Sequence, residues 1–130
     1  MMFEQVVKET AELVALWQCY GFCHGVLNTD NMSILGLTID YGPYAWMENF
    51  NPDFICNHSD RDRGRYRYKN QPGVCKWNLI KLAEALDPVV DIEFSSKFVQ
   101  DTYEPTFDAH YYARMGQKLG FILVKPFVGE

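Results

Sequence analysis

Side chains with hard oxygen atoms are concentrated in one short stretch of this chain, HGVLNTDNMSILGLTIDYG at positions 24 to 42. Asp30 and Asn31 are adjacent there, and Asp40 lies nine residues after Asn31. Magnesium prefers such oxygen ligands, and it usually takes one or two protein carboxylates together with substrate phosphates. Asn31 and Asp40 are therefore candidate magnesium ligands, and Asp30 is an additional acid beside them.

The order of these residues matches the catalytic motifs of protein kinases, H-R-D-L-x-x-x-N followed by D-F-G. Counted from His24, the asparagine of the motif falls on Asn31, and Asp40-Tyr41-Gly42 stands in the place of D-F-G. The position of the kinase base, two residues after His24, is Val26. The chain thus keeps both metal ligands of a kinase and lacks its base.

The same residues also have a purely structural interpretation. Asp30-Asn31 can open a turn, and the stretch from Asp40 to Pro43 can close one. Taken separately, each turn is the more common explanation, whereas both in this order after His24-Gly25 favour the metal site. His24 itself is interpreted as a structural histidine that hydrogen-bonds the turn.

A helix and a hairpin are predicted around this stretch. Apolar residues at helical spacing predict a first helix from about Phe3 to Tyr20, with Gly21 as its left-handed cap. Two short apolar runs separated by Gly36 predict a tight β-hairpin from Met32 to Ile39. Such a hairpin would return its two ends, and the candidate ligands beside them, to within a few ångströms.

Two further helices are predicted after a long loop. Residues 42–71 are rich in turn-forming residues, which predicts a loop with only short elements. A second helix is expected from Pro72 to about Leu86, ended by Pro88. A third is expected from Glu93 to Leu119 with an interruption at Pro105. The sequence thus predicts a mainly α fold with a short β-hairpin, in the element order of a kinase C-lobe.

Length and composition limit the class of protein. With 130 residues, 48% hydrophobic and 15% aromatic, the chain is at most one folded domain. A formal net charge of −5 argues against a nucleic-acid partner. No apolar run has the length of a membrane span, and the four cysteines are expected to be reduced thiols of an intracellular protein.

Beyond these motifs, the chain resembles the selenoprotein O family of pseudokinases over nearly all of its length. The matching segments are His24–Ser33, Leu37–Pro43, Asn57–Asp60, Gly64–Tyr66, Asn70–Pro72, Trp77–Leu79 and Lys81–Ala83, with a weaker match at Met115 and Lys118–Gly120. The resemblance implies an enzyme that binds ATP in an inverted pose and transfers AMP to the Ser, Thr or Tyr hydroxyls of protein substrates.

The resemblance also implies roles for individual residues. The family residue matching Asp30 is the proposed proton acceptor, so Asp30 would supply the acid that is missing at Val26. The residues matching Asn31 and Asp40 hold Mg²⁺ in the family, and the latter also contacts the nucleotide. Cys56 matches a family cysteine that is thought to pair with a C-terminal cysteine or selenocysteine. The family location is mitochondrial in eukaryotes and cytoplasmic in bacteria.

The chain departs from the family in what surrounds the matched part. The family's N-terminal lobe has no counterpart before Phe3. The sequence ends at Glu130, before the position of the family's C-terminal extension. We therefore expect a fragment of a larger protein, a single partial domain over residues 1–130 that is inactive alone. An apolar face left without the missing lobe would favour self-association.

Two other functions and two local features stay open at this point. The chain can instead be an ordinary kinase-like phosphotransferase, against which Val26 counts, or a non-catalytic interaction module. A zinc site built from Cys19, Cys23, Cys56 and His58 is conceivable, although its spacings match no standard pattern. The basic stretch from Arg61 to Lys69 is either a solvated strand-like loop or a contact for phosphate or a substrate protein.

Overall fold

The computed structural model describes residues 2–121 and is built around three helices. The elements are α1 (Met2–Tyr20), β1 (Phe22–Cys23), β2 (Ala45–Trp46), the 3₁₀ turns His58–Asp60 and Tyr68–Asn70, α2 (Gln71–Leu86) and α3 (Ile92–Lys118). β1 and β2 pair in antiparallel fashion. The predicted mainly α class is confirmed, and both ends of each helix lie within two residues of their predicted positions.

The core lies where α1, α2 and α3 meet, and α1 makes most of its helix contacts with α3. Each helix buries residues spaced three or four apart, which places them on one face. The buried apolar residues include Phe3, Val7, Ala11 and Val14 of α1, Cys75, Leu79 and Ala83 of α2, and Val99 and Tyr103 of α3. Gly21 ends α1 with φ of +72°, as expected for a left-handed cap.

The hairpin predicted from Met32 to Ile39 is wrong. These residues form turns and extended backbone without a strand, and the antiparallel pair is formed by β1 and β2 instead. Gly36 does turn the chain, with φ of +63°. However, Ile34, Leu35 and Leu37 are 51%, 67% and 58% exposed. Because these large apolar residues lie mostly at the surface, the apolar pattern has no core against which to fix a strand register.

The interruption predicted at Pro105 is also wrong, since α3 continues through this residue without a break. Proline removes one helical hydrogen bond, and the carbonyl left without it belongs to Asp101, four residues earlier. Both residues are exposed. Water can therefore hydrate this carbonyl, and the helix can tolerate the proline on its outer face.

Large apolar side chains remain exposed around the small sheet. Those of Tyr41, Tyr44, Trp46 and Phe50 lie on the surface. Exposed apolar patches of this kind mark surfaces that can associate with other protein. In the part of the chain that the structure describes, no helix is long and apolar enough to cross a membrane.

Replacing Pro105 with alanine should stabilise the fold. The substitution restores the missing hydrogen bond to the Asp101 carbonyl and removes the ring from the helix interior, so the free energy of unfolding should rise by about 1–3 kcal/mol. Urea denaturation followed by circular dichroism measures this change. Asp108→Ala on the same exposed face is the control, and it should change the free energy by less than about 0.5 kcal/mol. A Pro105→Ala variant with unchanged or lower stability would contradict the explanation.

Candidate active site

The buried imidazole of His24 connects the two ends of the stretch that carries the candidate ligands. His24 is only 1% exposed, and its Nε2–H donates to the Ile39 carbonyl oxygen at 2.7 Å. Its Nδ1 accepts from the Val26 backbone N–H at 3.4 Å. These bonds require the neutral ring with its proton on Nε2. Burial lowers the pKa of His24, opposed by the Ile39 contact and the Asp40 charge. The structural role predicted for His24 agrees with this arrangement.

A second long-range bond closes the same loop from α1. The indole Nε1–H of Trp17 donates to the hydroxyl oxygen of Thr38 at 2.9 Å. Trp17 is buried, and its ring lies 5.8 Å from the ring of His24. Residues 24–40 are therefore held as a closed loop by side chains that reach across it. These contacts hold the ends of the loop together, which the predicted hairpin would have done through backbone pairing.

Asn31 is oriented by its own loop. Its backbone N–H donates to the Asn28 carbonyl at 3.0 Å, and its side-chain Nδ2 donates to the Val26 carbonyl at 2.8 Å. The side-chain amide oxygen of Asn31 accepts no hydrogen bond from residues 2–121. The carboxylate of the neighbouring Asp30 is exposed and likewise forms no hydrogen bond or ion pair within those residues.

Asp40 has an unusual backbone. With φ of 60°, it is the one non-glycine residue in the described range with a positive φ. Its carbonyl accepts from the Gly42 N–H at 2.8 Å, and it follows directly after Ile39, whose carbonyl His24 holds. The side chain is exposed and forms no hydrogen bond or ion pair among residues 2–121. Left-handed backbone is uncommon outside glycine and costs free energy, although aspartate tolerates it better than most residues.

The three candidate residues lie on one loop but line different surfaces. Asp30 borders a cavity of about 230 Å³ between α1 and α2, together with Thr10 and Asn78. Asn31 borders a much smaller cavity of about 10 Å³ next to Trp17. Asp40 lines neither of them. That the oxygens of Asn31 and Asp40 meet at one metal stays a prediction.

The chemistry of the available oxygens suits magnesium better than zinc. Residues 2–121 contain no group of three or more His, Cys, Asp or Glu side chains that could hold a metal ion. Structural zinc needs four such ligands, so the zinc site weighed from Cys19, Cys23, Cys56 and His58 is wrong. Magnesium usually needs only one or two protein carboxylates. One amide oxygen and one carboxylate, both without protein partners, meet that need.

Cys56 has a neighbour that the sequence did not reveal. Its thiol donates to the Cys23 carbonyl oxygen at 3.3 Å, and Cys23 is fully buried in β1. Interaction with the Cys23 side chain lowers the pKa of Cys56, while interaction with Cys56 and burial raise the pKa of Cys23. All four cysteines are free thiols. A redox role of Cys56 with a C-terminal partner stays a prediction.

The basic stretch forms no strand, and its cations are largely engaged within the fold. Arg67 and Lys69 both pair with Asp53, at 2.8 Å and 2.6 Å. Arg65 lies over the Trp77 ring, 5.0 Å from its centroid. Arg61 is exposed to solvent. The strand-like part of that prediction is wrong, because hydrogen-bonded turns and a 3₁₀ turn replace it.

Sequence reasoning missed the buried polar residues that hold the loop in place. Gln71 is one of them, since its Oε1 accepts from the His24 N–H at 2.9 Å and its Nε2 donates to the Phe22 carbonyl at 2.8 Å. Asp60 is also buried, but its carboxylate accepts the backbone N–H groups of Arg65 and Tyr66 and so orders residues 60–66 rather than the 24–40 loop. Gln71 directly precedes Pro72 at a helix start, and that position was the available signal.

Comparison with known proteins identifies the family of this chain. A family model described as "Protein adenylyltransferase SelO" matches residues 1–128. The mouse protein named "Protein adenylyltransferase SelO, mitochondrial" is 54% identical over 123 residues, which cover 95% of this chain and 18% of the mouse protein. The human protein of the same name is 53% identical over 123 residues, with the same coverage. "Protein nucleotidyltransferase YdiU" of Pseudomonas fluorescens is 53% identical over 120 residues, which cover 92% of this chain and 24% of that protein. The matched part of this chain therefore spans only 18% to 24% of the length of these relatives.

Stability should fall when His24 is forced to take up a proton. Because the folded state lowers the pKa of His24 below its ordinary value of about 6.5, the neutral ring's contribution is fully present above that pH. It is lost as the pH falls from there through the lower pKa of the folded state, by up to about 1.4 kcal/mol per pH unit.

Urea denaturation between about pH 8 and pH 5 measures this dependence. His24→Gln keeps an N–H donor but cannot titrate, so its stability should change less over this range. His58→Gln, at an exposed histidine, should keep the slope of the unchanged protein. Equal slopes for all three proteins would contradict the assignment to His24.

Proposed function

The chain belongs to the SelO family of protein adenylyltransferases, and we propose that the whole protein transfers AMP from ATP to Ser, Thr or Tyr hydroxyls of protein substrates. The printed names of its mouse and Pseudomonas relatives describe an adenylyltransferase and a nucleotidyltransferase. The acceptor groups, the metal and the residue roles given below are parts of this proposal.

The observation that carries the proposal is the backbone of Asp40. Its carboxylate projects from a left-handed position, directly after a residue that the buried His24 holds. Strained positions of this kind persist when the surrounding structure holds them, and they cluster at functional sites. An acid with no protein partner at such a position supports a role toward a ligand better than a role in folding.

Magnesium would be held by the Asn31 amide oxygen and the Asp40 carboxylate, and Asp40 would also contact the nucleotide. When bound, the ion would neutralise charge on the phosphate oxygens. The support from this chain is that Nδ2 of Asn31 is bound to the Val26 carbonyl, which leaves its oxygen for a ligand.

Asp30 is proposed as the proton acceptor. The acceptor hydroxyl oxygen forms a bond to the α-phosphorus of ATP, its proton passes to the Asp30 carboxylate, and pyrophosphate leaves. A kinase would use an acid at the position of Val26, which has an apolar side chain here. Asp30 is exposed and without a protein partner, so it is accessible to a hydroxyl group of another protein.

The 130-residue chain alone is proposed to be inactive. The candidate residues Asp30, Asn31 and Asp40 are acids or neutral and supply no cation, and the chain has a formal net charge of −5. A triphosphate is itself negatively charged, so its binding needs cations that would come from other parts of the whole protein. This chain by itself would then act at most as a binding or self-associating module through its exposed apolar surface.

An ordinary kinase-like phosphotransferase remains the second candidate, because the motif order is that of a kinase. The transferred group separates the two functions. ATP labelled at the α-phosphate would label the acceptor protein in AMP transfer, whereas ATP labelled at the γ-phosphate would label it in kinase chemistry.

The location is proposed from the same comparisons. The mouse and human relatives carry "mitochondrial" in their names, whereas the YdiU relatives are bacterial. We expect this protein to be mitochondrial if its source is a eukaryote and cytoplasmic if its source is a bacterium.

Replacing Asp40 with alanine should abolish AMP transfer, because Asp40 is the only charged ligand proposed for the metal. The test uses a full-length chimera, in which this chain replaces the matching segment of the mouse relative, and measures α-labelled ATP incorporated into protein. Asp62→Ala, at an exposed acid outside the loop, is the matched control and should keep full activity. The 130-residue chain alone should give no signal. Near-normal activity of the Asp40→Ala chimera would refute the metal site.

Replacing Asp30 with asparagine should lower turnover of the chimera by about 10²–10⁴-fold and leave its affinity for ATP nearly unchanged. A base acts on the acceptor hydroxyl in the transition state, and ATP binding does not need it. Single-turnover rates and nucleotide binding measured on the same variant check both parts. If nucleotide and magnesium affinity fall together with the rate, Asp30 belongs to the metal shell and the base assignment fails.

A further inference from the structure

A buried amide in the middle of α2 holds the segment that carries Asp30 and Asn31. Asn78 is 5% exposed, and its Nδ2 donates to the Leu27 carbonyl oxygen at 3.0 Å. The same Nδ2 lies 2.8 Å from the sulfur of Met32. Leu27 and Met32 flank the two candidate residues in the sequence. Asn78 therefore contacts this segment at both of its ends.

The helix that carries Asn78 is itself fixed to the start of the loop. Gln71 lies seven residues before Asn78, which is about two helical turns and the same helix face. Through its bonds to Phe22 and His24, Gln71 holds α2 against the strand from which the loop leaves. Gln71 and Asn78 thus lie on one face of α2. Gln71 holds the beginning of the loop, and Asn78 holds the 27–32 segment.

Stability alone does not explain why an asparagine occupies this position. The Oδ1 atom of Asn78 is buried and accepts no hydrogen bond from residues 2–121. An unpaired buried acceptor is unfavourable, and an apolar side chain of similar size would avoid that cost. What the asparagine provides, and leucine would not, is the N–H donor aimed at the Leu27 carbonyl.

We propose that Asn78 is a positioning residue for AMP transfer, which fixes the Leu27–Met32 segment so that Asp30 and Asn31 keep their relative placement. This inference rests on the proposed function for its catalytic part. Asn78 does not touch the reacting atoms in this assignment. Asn78 acts through the segment, and Asp30 and Asn31 would shift together if its contacts to Leu27 and Met32 were lost.

The structural part of the proposal can be tested in the 130-residue chain. Asn78→Leu removes the donor together with the unpaired oxygen, so the fold should be retained. The backbone N–H of Asn31, which bonds within the segment to Asn28, should then exchange with solvent at least about tenfold faster by NMR. Amides in the middle of α1, such as that of Val14, should keep their exchange rates.

The catalytic part is tested in the full-length chimera. Asn78→Leu should lower kcat by about 10–10²-fold, because a small misplacement of catalytic groups has an effect of that size. The KM for ATP should rise as well, because Asn31 is a proposed ligand of a metal that also binds the nucleotide phosphates. The magnesium concentration for half-maximal rate should rise.

The matched control is Cys75→Ala, which removes a fully buried side chain from the same helix. It should lower the melting temperature without accelerating Asn31 exchange or changing the magnesium dependence. The proposal would be overturned if Asn78→Leu left Asn31 exchange and kcat unchanged, or if Cys75→Ala reproduced both effects. A wild-type chimera without AMP transfer would overturn the proposed function and the catalytic role with it, while the exchange rates would still decide whether Asn78 holds the segment.

Discussion

The hydrogen bond from the buried Nε2–H of His24 to the Ile39 carbonyl is the constraint on which the candidate site depends. It joins the two ends of a loop that has no strand pairing of its own. Because the ring is almost completely buried, the bond is shielded from water, and the ring is neutral in the tautomer that the bond requires. Asp40 follows Ile39 directly, so its strained backbone is held by the same contact.

The helices could be predicted from the sequence because their signals are local. Apolar spacing, Gly21 after α1 and Pro72 at the start of α2 each report on residues a few positions away. The loop closure could not be predicted in the same way. Its bonds join side chains to groups between 15 and 51 positions distant, such as His24 to Ile39 and Asn78 to Leu27. The apolar pattern of residues 32–39 predicted a hairpin. That prediction failed because most of the large apolar residues of this segment are exposed.

The family was predicted from the sequence and is confirmed by the comparisons, whereas the roles of the candidate site residues stay predictions. The residues that support them could not be predicted. Gln71 and Asn78 look like ordinary polar residues of a helix in the sequence, where nothing shows that both are buried on one face. The contact of Cys56 with Cys23 was hidden for the same reason, since the two cysteines are 33 positions apart and give no spacing signal. Buried polar contacts of this kind depend on tertiary packing, which a single sequence does not display.

Val26 shows how this loop keeps its geometry without the kinase acid. Its side chain is apolar, but its backbone N–H donates to Nδ1 of His24 and its carbonyl accepts from Nδ2 of Asn31. The backbone at this position therefore connects the buried imidazole to the candidate metal ligand, and neither bond depends on the side chain. An acid can be lost from position 26 without disturbing that connection, and Asp30, one residue before Asn31, is carried by the segment that the connection orients. The loop thus separates the placement of its oxygens, which the backbone of Val26 provides, from the supply of a carboxylate, which we assign to Asp30.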